Sequence, residues 1–218
     1  MNEAVRVLFE KTGLSRYISH LDLQHTLQRA FSRAAISVRH SNGFNPHPLM
    51  TIALPLPLGY ESVCEIMDFV PENGAVSDEF INVMNGALPA GIRFLEAYAP
   101  SRKVSEIRWI RTEGFWRYET EPCIEELEEL FRRTAIPVDK KTKRGISQID
   151  LAIDSQEVRF RKCEAGIRVT ALLSAQSPTV NPDLILKAAE RYVPDFPVPK
   201  SALYRRMELF DKDNRIFR

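Results

Sequence analysis

Cysteine is scarce in this 218-residue chain: Cys64, Cys123 and Cys163 are the three present, and they stand far apart. An odd number at such spacing builds neither a disulfide framework nor a CxxC metal or redox motif, so all three read as small buried or half-buried residues. No apolar run approaches the roughly 20 residues of a membrane-spanning helix, and no membrane contact is expected. The opening residues MNEAVRVLFEKTG lack the basic start and apolar stretch of a secretory leader, which gives a cytoplasmic location as the expectation. Also missing are GxGxxG after a strand, GxxxxGKS or GxxxxGKT, GxSxG and CxxxCxxC. Nucleotide cofactors, serine hydrolysis and an iron–sulfur cluster held by this chain are therefore unsupported, and no cofactor is expected.

What is present is an ordinary globular composition, 44% hydrophobic and 27% charged, with a formal net charge of +1. The balance hides a distribution. Residues 1–105 carry 9 Lys and Arg against 10 Asp and Glu, whereas residues 106–218 carry 21 against 19. The second half is the densely charged one, and its positive charges are clumped.

Val5, Val7 and Phe9 alternate on one face of a predicted strand. Ser19 stands at an N-cap position with Asp22 three residues on, a capping-box arrangement that opens a helix to about Ala35. A short strand at residues 36–39, a hairpin pairing 50–58 with 64–70, a helix over 78–88 capped by Ser77, and a strand over 92–98 complete a β-α-β-β-α-β order. Pro55 and Pro57 remove two backbone donors and make the 50–58 segment an edge strand or an irregular one. After a polar linker at 101–105 the same order is predicted to recur: extended residues 107–118, a helix near 124–134, a basic loop at 140–145, a strand at 147–153, a hairpin of 157–162 with 166–174, a helix over 182–192 and a strand near 202–210. The fold class expected is α+β, two tandem ferredoxin-like (βαββαβ) domains covering residues 1–100 and 106–218.

Three constellations carry possible chemistry. The stretch Ser41 to Gly59 begins with an Asn42-Gly43 turn and continues as Phe44-Asn45-Pro46-His47-Pro48, where alternate prolines stiffen a non-helical loop and hold Phe44, Asn45 and His47 in set directions. Such a loop either presents side chains to a ligand or merely routes the chain. All four histidines, His20, His25, His40 and His47, fall between positions 20 and 47. His20 and His47 are the catalytic candidates, as an acid/base pair for metal-free cleavage of RNA or a cyclic phosphodiester, since imidazole titrates near neutrality. A metal is not expected: His20 and His25 sit roughly 140° apart on a helix, and Asp22 with His25 at i+3, with His47 as a third ligand, rests on a weak two-ligand spacing. The third constellation is basic. Lys140, Lys141, Lys143 and Arg144 form a loop suited to phosphates, and Arg159 and Arg161 alternate along the next hairpin. With Val158 and Phe160 toward the helices, Arg159, Arg161 and Arg168 face the open side of the sheet, where related architectures take up single-stranded RNA. The alternative is a solvated surface neutralised by Glu125, Glu126, Glu128 and Glu129, and an aromatic RNA-binding signature is absent.

Arg6 to Lys11, Arg16-Tyr17-Ile18-Ser19-His20-Leu21-Asp22-Leu23, Gly43-Phe44-Asn45-Pro46-His47-Pro48 and Pro55-Leu56-Pro57-Leu58-Gly59 resemble a bacterial domain of unknown function, the radical SAM-linked protein family, found alone or fused to cobalamin-type radical SAM proteins. Lys141-Thr142-Lys143-Arg144-Gly145 resembles the basic segment of its second half. The resemblance implies a radical SAM partner that holds the iron–sulfur cluster in its own cysteines, beside which this chain binds or presents the substrate. Where that pattern often places a basic residue after the last proline of FNPHP, Leu49 stands here. The resemblance carries over no catalytic residue. The function expected is an accessory RNA-binding or substrate-presenting module in RNA or ribosome-related modification, more an adaptor than an enzyme, with Asp22, Phe44, Asn45, His47, Lys141, Lys143, Arg144, Arg159 and Arg161 binding substrate. The competing expectations are a ribonuclease or phosphodiesterase using His20 and His47, and a protein-interaction module docking through Phe44 and Leu49.

Overall fold

In the computed structural model, residues 4–119, 123–142, 145–164 and 166–218 are described, with the side chains of Lys141 and Thr142 outside the description. The chain divides into two compact units, with the boundary between Val104 and Ser105. The architecture is mixed α and β, with antiparallel strands in both units.

The first unit runs β1 (Val5–Lys11), α1 (His20–Arg33), β2 (Met50–Ile52), β3 (Glu61–Phe69), α2 (Phe80–Ala87) and β4 (Ile92–Tyr98). β1 lies between β3 and β4, and β2 pairs with the end of β3. Alternation puts Val5, Val7 and Phe9 on the helix side, where they join Leu23, Leu27, Ala30 and Phe31 of α1 and Phe80 and Met84 of α2. Phe31 stands edge-on to Phe69 at 4.8 Å and Phe69 stacks on Phe80 at 5.5 Å, contacts worth about 0.5–1.5 kcal/mol each beyond burial. Ser19 caps α1: its Oγ accepts from the Asp22 backbone N–H at 3.1 Å and donates to Asp22 Oδ2 at 2.7 Å. Gly91 has φ +87°, and a Cβ there would run into the Thr12 carbonyl, so this junction before β4 admits only glycine without rearrangement.

The second unit runs β5 (Trp109–Arg117), α3 (Ile124–Leu130), β6 (Pro137–Thr142), β7 (Gly145–Asp150), α4 (Leu151–Asp154), β8 (Ser155–Cys163), β9 (Gly166–Ser174), α5 (Asp183–Tyr192) and β10 (Ser201–Phe210). β5 lies between β10 and β9, and β8 pairs with β9 on the far side. Trp116 is fully buried on the helix side against Phe160 and Phe196, and its indole N–H donates to the Tyr204 hydroxyl at 3.1 Å. Burial raises the Tyr204 phenol above its usual range.

Several elements depart from the sequence expectation. The basic segment is not a free loop: Pro137–Thr142 and Gly145–Asp150 pair as a separate hairpin. The strand expected over 147–153 stops at Asp150, whose carboxylate accepts from the Ala152 and Ile136 backbone N–H groups and turns the chain into the short α4. Residues 36–39 make only an isolated bridge, Val38 with Pro71. β2 ends at Ile52, before the prolines that cannot donate to a ladder.

Candidate functional site

Three of the resembling segments meet at one end of the first unit. The Arg16 carbonyl accepts from the Lys11 ammonium at 3.2 Å and from the Gly59 backbone N–H at 2.8 Å. The Glu61 carboxylate accepts from the Gly13 backbone N–H at 2.9 Å and lies 3.8 Å from the Arg16 guanidinium. Lys11 is buried, and burial pulls its ammonium below the usual 10.5 while the Glu65 charge opposes the shift. Asp22 is committed to the helix cap. These residues hold backbone in place.

The FNPHP loop lies elsewhere. Ser41 closes its base, with its N–H on the His47 carbonyl at 2.9 Å and its Oγ 2.8 Å from His47 Nδ1. Phe44 at the tip is fully exposed, and Asn45 is exposed beside it. His47 precedes Met50, which pairs with Phe69 at the end of the sheet where β1 begins, whereas His20 follows the opposite end of β1. His20 is the first residue of α1, and His47 comes 14 residues after its last, Arg33. The two candidate histidines thus stand on different elements, one opening α1 and the other in the FNPHP loop. Among the described residues no group of three or more His, Cys, Asp or Glu side chains could hold a metal ion, and no helix is long and apolar enough to cross a membrane.

The second unit presents a different surface. Phe160 packs on Phe131 and Trp116, so the alternation of β8 turns Arg159 and Arg161 to the face away from the helices. The register then assembles that face. Arg161 lies directly opposite Arg168 of β9, Arg168 opposite Phe115 of β5, and Phe115 opposite Leu203 of β10; the adjacent row is Arg159, Thr170, Glu113 and Arg205. Arg111 and Arg117 belong to the same face of β5 and are exposed. Arg168 is paired to Glu113 at 3.0 Å and Arg111 to Glu157 at 3.5 Å. Among the described residues the side chains of Arg159 and Arg161 have neither an ion pair nor a hydrogen bond. A groove of about 620 Å³ is lined by Arg159, Arg161, Arg168 and Thr170 together with Glu128 and Arg132 of the α3 region.

Lys143 and Arg144 lie outside the described residues, as does the Lys141 side chain; Lys140 donates its ammonium to the Thr179 carbonyl. Arg111, Phe115, Arg117 and Arg205 were not singled out from sequence. The signal was available in β5, where burying Trp116 on one face places 111, 113, 115 and 117 on the other.

No curated protein matches the chain. A solved structure of an unknown protein from Galdieria sulphuraria is similar at 13% identity over 87% of this chain and 90% of that one, with a TM-score of 0.28, a likeness too slight to carry an argument. The family model described as an uncharacterized protein conserved in bacteria (DUF2344) matches residues 4–182. The chain belongs to that bacterial family of uncharacterized proteins.

Proposed function

We propose that this protein is an RNA-binding accessory module that grips phosphates with the open sheet face of its second unit. The observation that carries the reading is the cross-strand pair Arg161 and Arg168. Like charges directly opposite one another on a sheet destabilise it. Glu113 relieves Arg168, whereas Arg161 and its neighbour Arg159 have no acidic partner among the described residues. A polyanion laid across these strands would supply the missing charge, and guanidinium forks bind phosphate oxygens bidentately. Two strand steps put Arg159 and Arg161 about 6.6 Å apart, a spacing suited to neighbouring phosphates of one chain.

The fold supports the same reading. The strand orders β4-β1-β3-β2 and β10-β5-β9-β8, each with helices after the first and third strands, favour two ferredoxin-like domains, the second with the β6–β7 hairpin and α4 inserted. A radical SAM enzyme as partner is supported by the ISHLD and FNPHP segments, and the fully exposed Phe44 is the side chain suited to touch such a partner.

A gel shift with total cellular RNA at low and moderate salt, run beside a denaturing gel, tests the reading. The wild type should give a shift that fades as salt rises, with intact RNA, and Arg159→Gln with Arg161→Gln should weaken it. Cleavage abolished by His47→Ala would make the protein a nuclease instead. No shift at low salt would leave only the protein-contact role of Phe44.

A further inference from the structure

The geometry points to single-stranded RNA as the form bound, with one base stacked on Phe115, an inference that rests on the RNA-binding reading above. Phe115 is a half-buried aromatic on the open face of β5. Its direct cross-strand neighbours are Arg168 and Leu203, the latter 41% exposed. Among the described residues Phe115 has no ring contact of its own, unlike Trp116 beside it in sequence, which packs against Phe160 and Phe196. The Arg168 side chain runs diagonally to Glu113, toward β5 and away from Arg161 on β8.

The arrangement is a phosphate-binding row at the β8 edge with an aromatic about two strand spacings inward, roughly 10 Å away. A duplex offers that face only phosphates and sugars, because its bases stay stacked inside. A single strand can lay its backbone along Arg159 and Arg161 and turn a base inward onto Phe115, with the Arg168 guanidinium against the base edge and Leu203 covering its far side. Stacking on one aromatic is tolerant of sequence, since every base has a π-face. The site is therefore expected to prefer single strands over duplexes while discriminating weakly among bases.

The test is fluorescence anisotropy with a labelled single-stranded RNA oligonucleotide and the blunt duplex of the same sequence at one moderate salt concentration. The wild type should bind the single strand more tightly. Phe115→Ile, which keeps a strand-forming residue, should weaken single-strand binding by roughly five-fold to a hundred-fold and leave duplex binding unchanged. Phe115→Tyr should retain wild-type affinity and guards against a folding defect in the isoleucine variant. Unchanged single-strand binding by Phe115→Ile, or equal weakening of both forms, would overturn the stacking inference while leaving phosphate binding intact. Failure of the wild type to bind either form would overturn the RNA-binding reading and this inference with it.

Discussion

Arginine is used in opposite ways in the two units. In the first, Arg6 of β1 is 1% exposed, and its Nε and Nη2 donate to the two carboxylate oxygens of Asp68, its register partner on β3, at 2.7 and 2.8 Å. In the second, Arg161 of β8 faces solvent opposite another arginine. Both occupy the sheet face away from the helices. A guanidinium removed from water must be matched bidentately or it destabilises the fold. One left in water next to a like charge adds nothing to the fold and stays open to an anion. The contrast separates charge that builds the protein from charge available to a ligand.

Breaking the buried pair should have the largest effect on stability. Arg6→Met is expected to cost about 3 kcal/mol, read as a lowered urea midpoint, because Asp68 is left charged without its fork. An unchanged midpoint would show that Asp68 finds enough water to dispense with Arg6.

Binding comes next. Arg159→Gln with Arg161→Gln should lower affinity for single-stranded RNA roughly ten-fold at moderate salt without lowering the urea midpoint. Equal binding by variant and wild type would return these arginines to the role of solvated surface.

Stability and binding should then move in opposite directions at one residue. Arg161→Thr removes the like-charge pair with Arg168 and supplies a residue suited to strands, so the unfolding free energy should rise by about 0.2–1 kcal/mol while RNA affinity falls. A loss of both would mean that Arg161 supports the sheet after all.

The smallest effect concerns Lys11. Its ammonium is held below 10.5 by burial, so between the lowered native value and 10.5 the unfolded chain binds a proton that the native state has released. Stability from this group therefore rises with pH through that window, and its cost is fully present below it. Urea midpoints of the wild type and Lys11→Met, followed from about pH 8 to 10.5, should show a steeper rise with pH for the wild type. Parallel curves would mean the ammonium titrates as it does in water.

Local chemistry was legible in the sequence. The capping box at Ser19 and Asp22 forms as its residue types dictate, and the alternation of Val5, Val7 and Phe9 faces the helices. Arg159 and Arg161 could be placed on one face from Phe160 alone. What could not be read was whatever depends on partners distant in sequence. Only register brings Arg161 opposite Arg168 and Phe115 beside Leu203, and no local pattern encodes it. The β6–β7 hairpin is hidden behind lysines that resemble a loop, although its register partners Val138 and Ile149 are both buried.

Contact of Arg159 and Arg161 with successive phosphates would set the salt dependence of affinity for a single-stranded RNA oligonucleotide. Each phosphate contact on a single strand adds about 0.7 to the slope of log affinity against log salt, so replacing both arginines with glutamine should make the slope shallower by about 1.4. An identical slope in variant and wild type would contradict that contact.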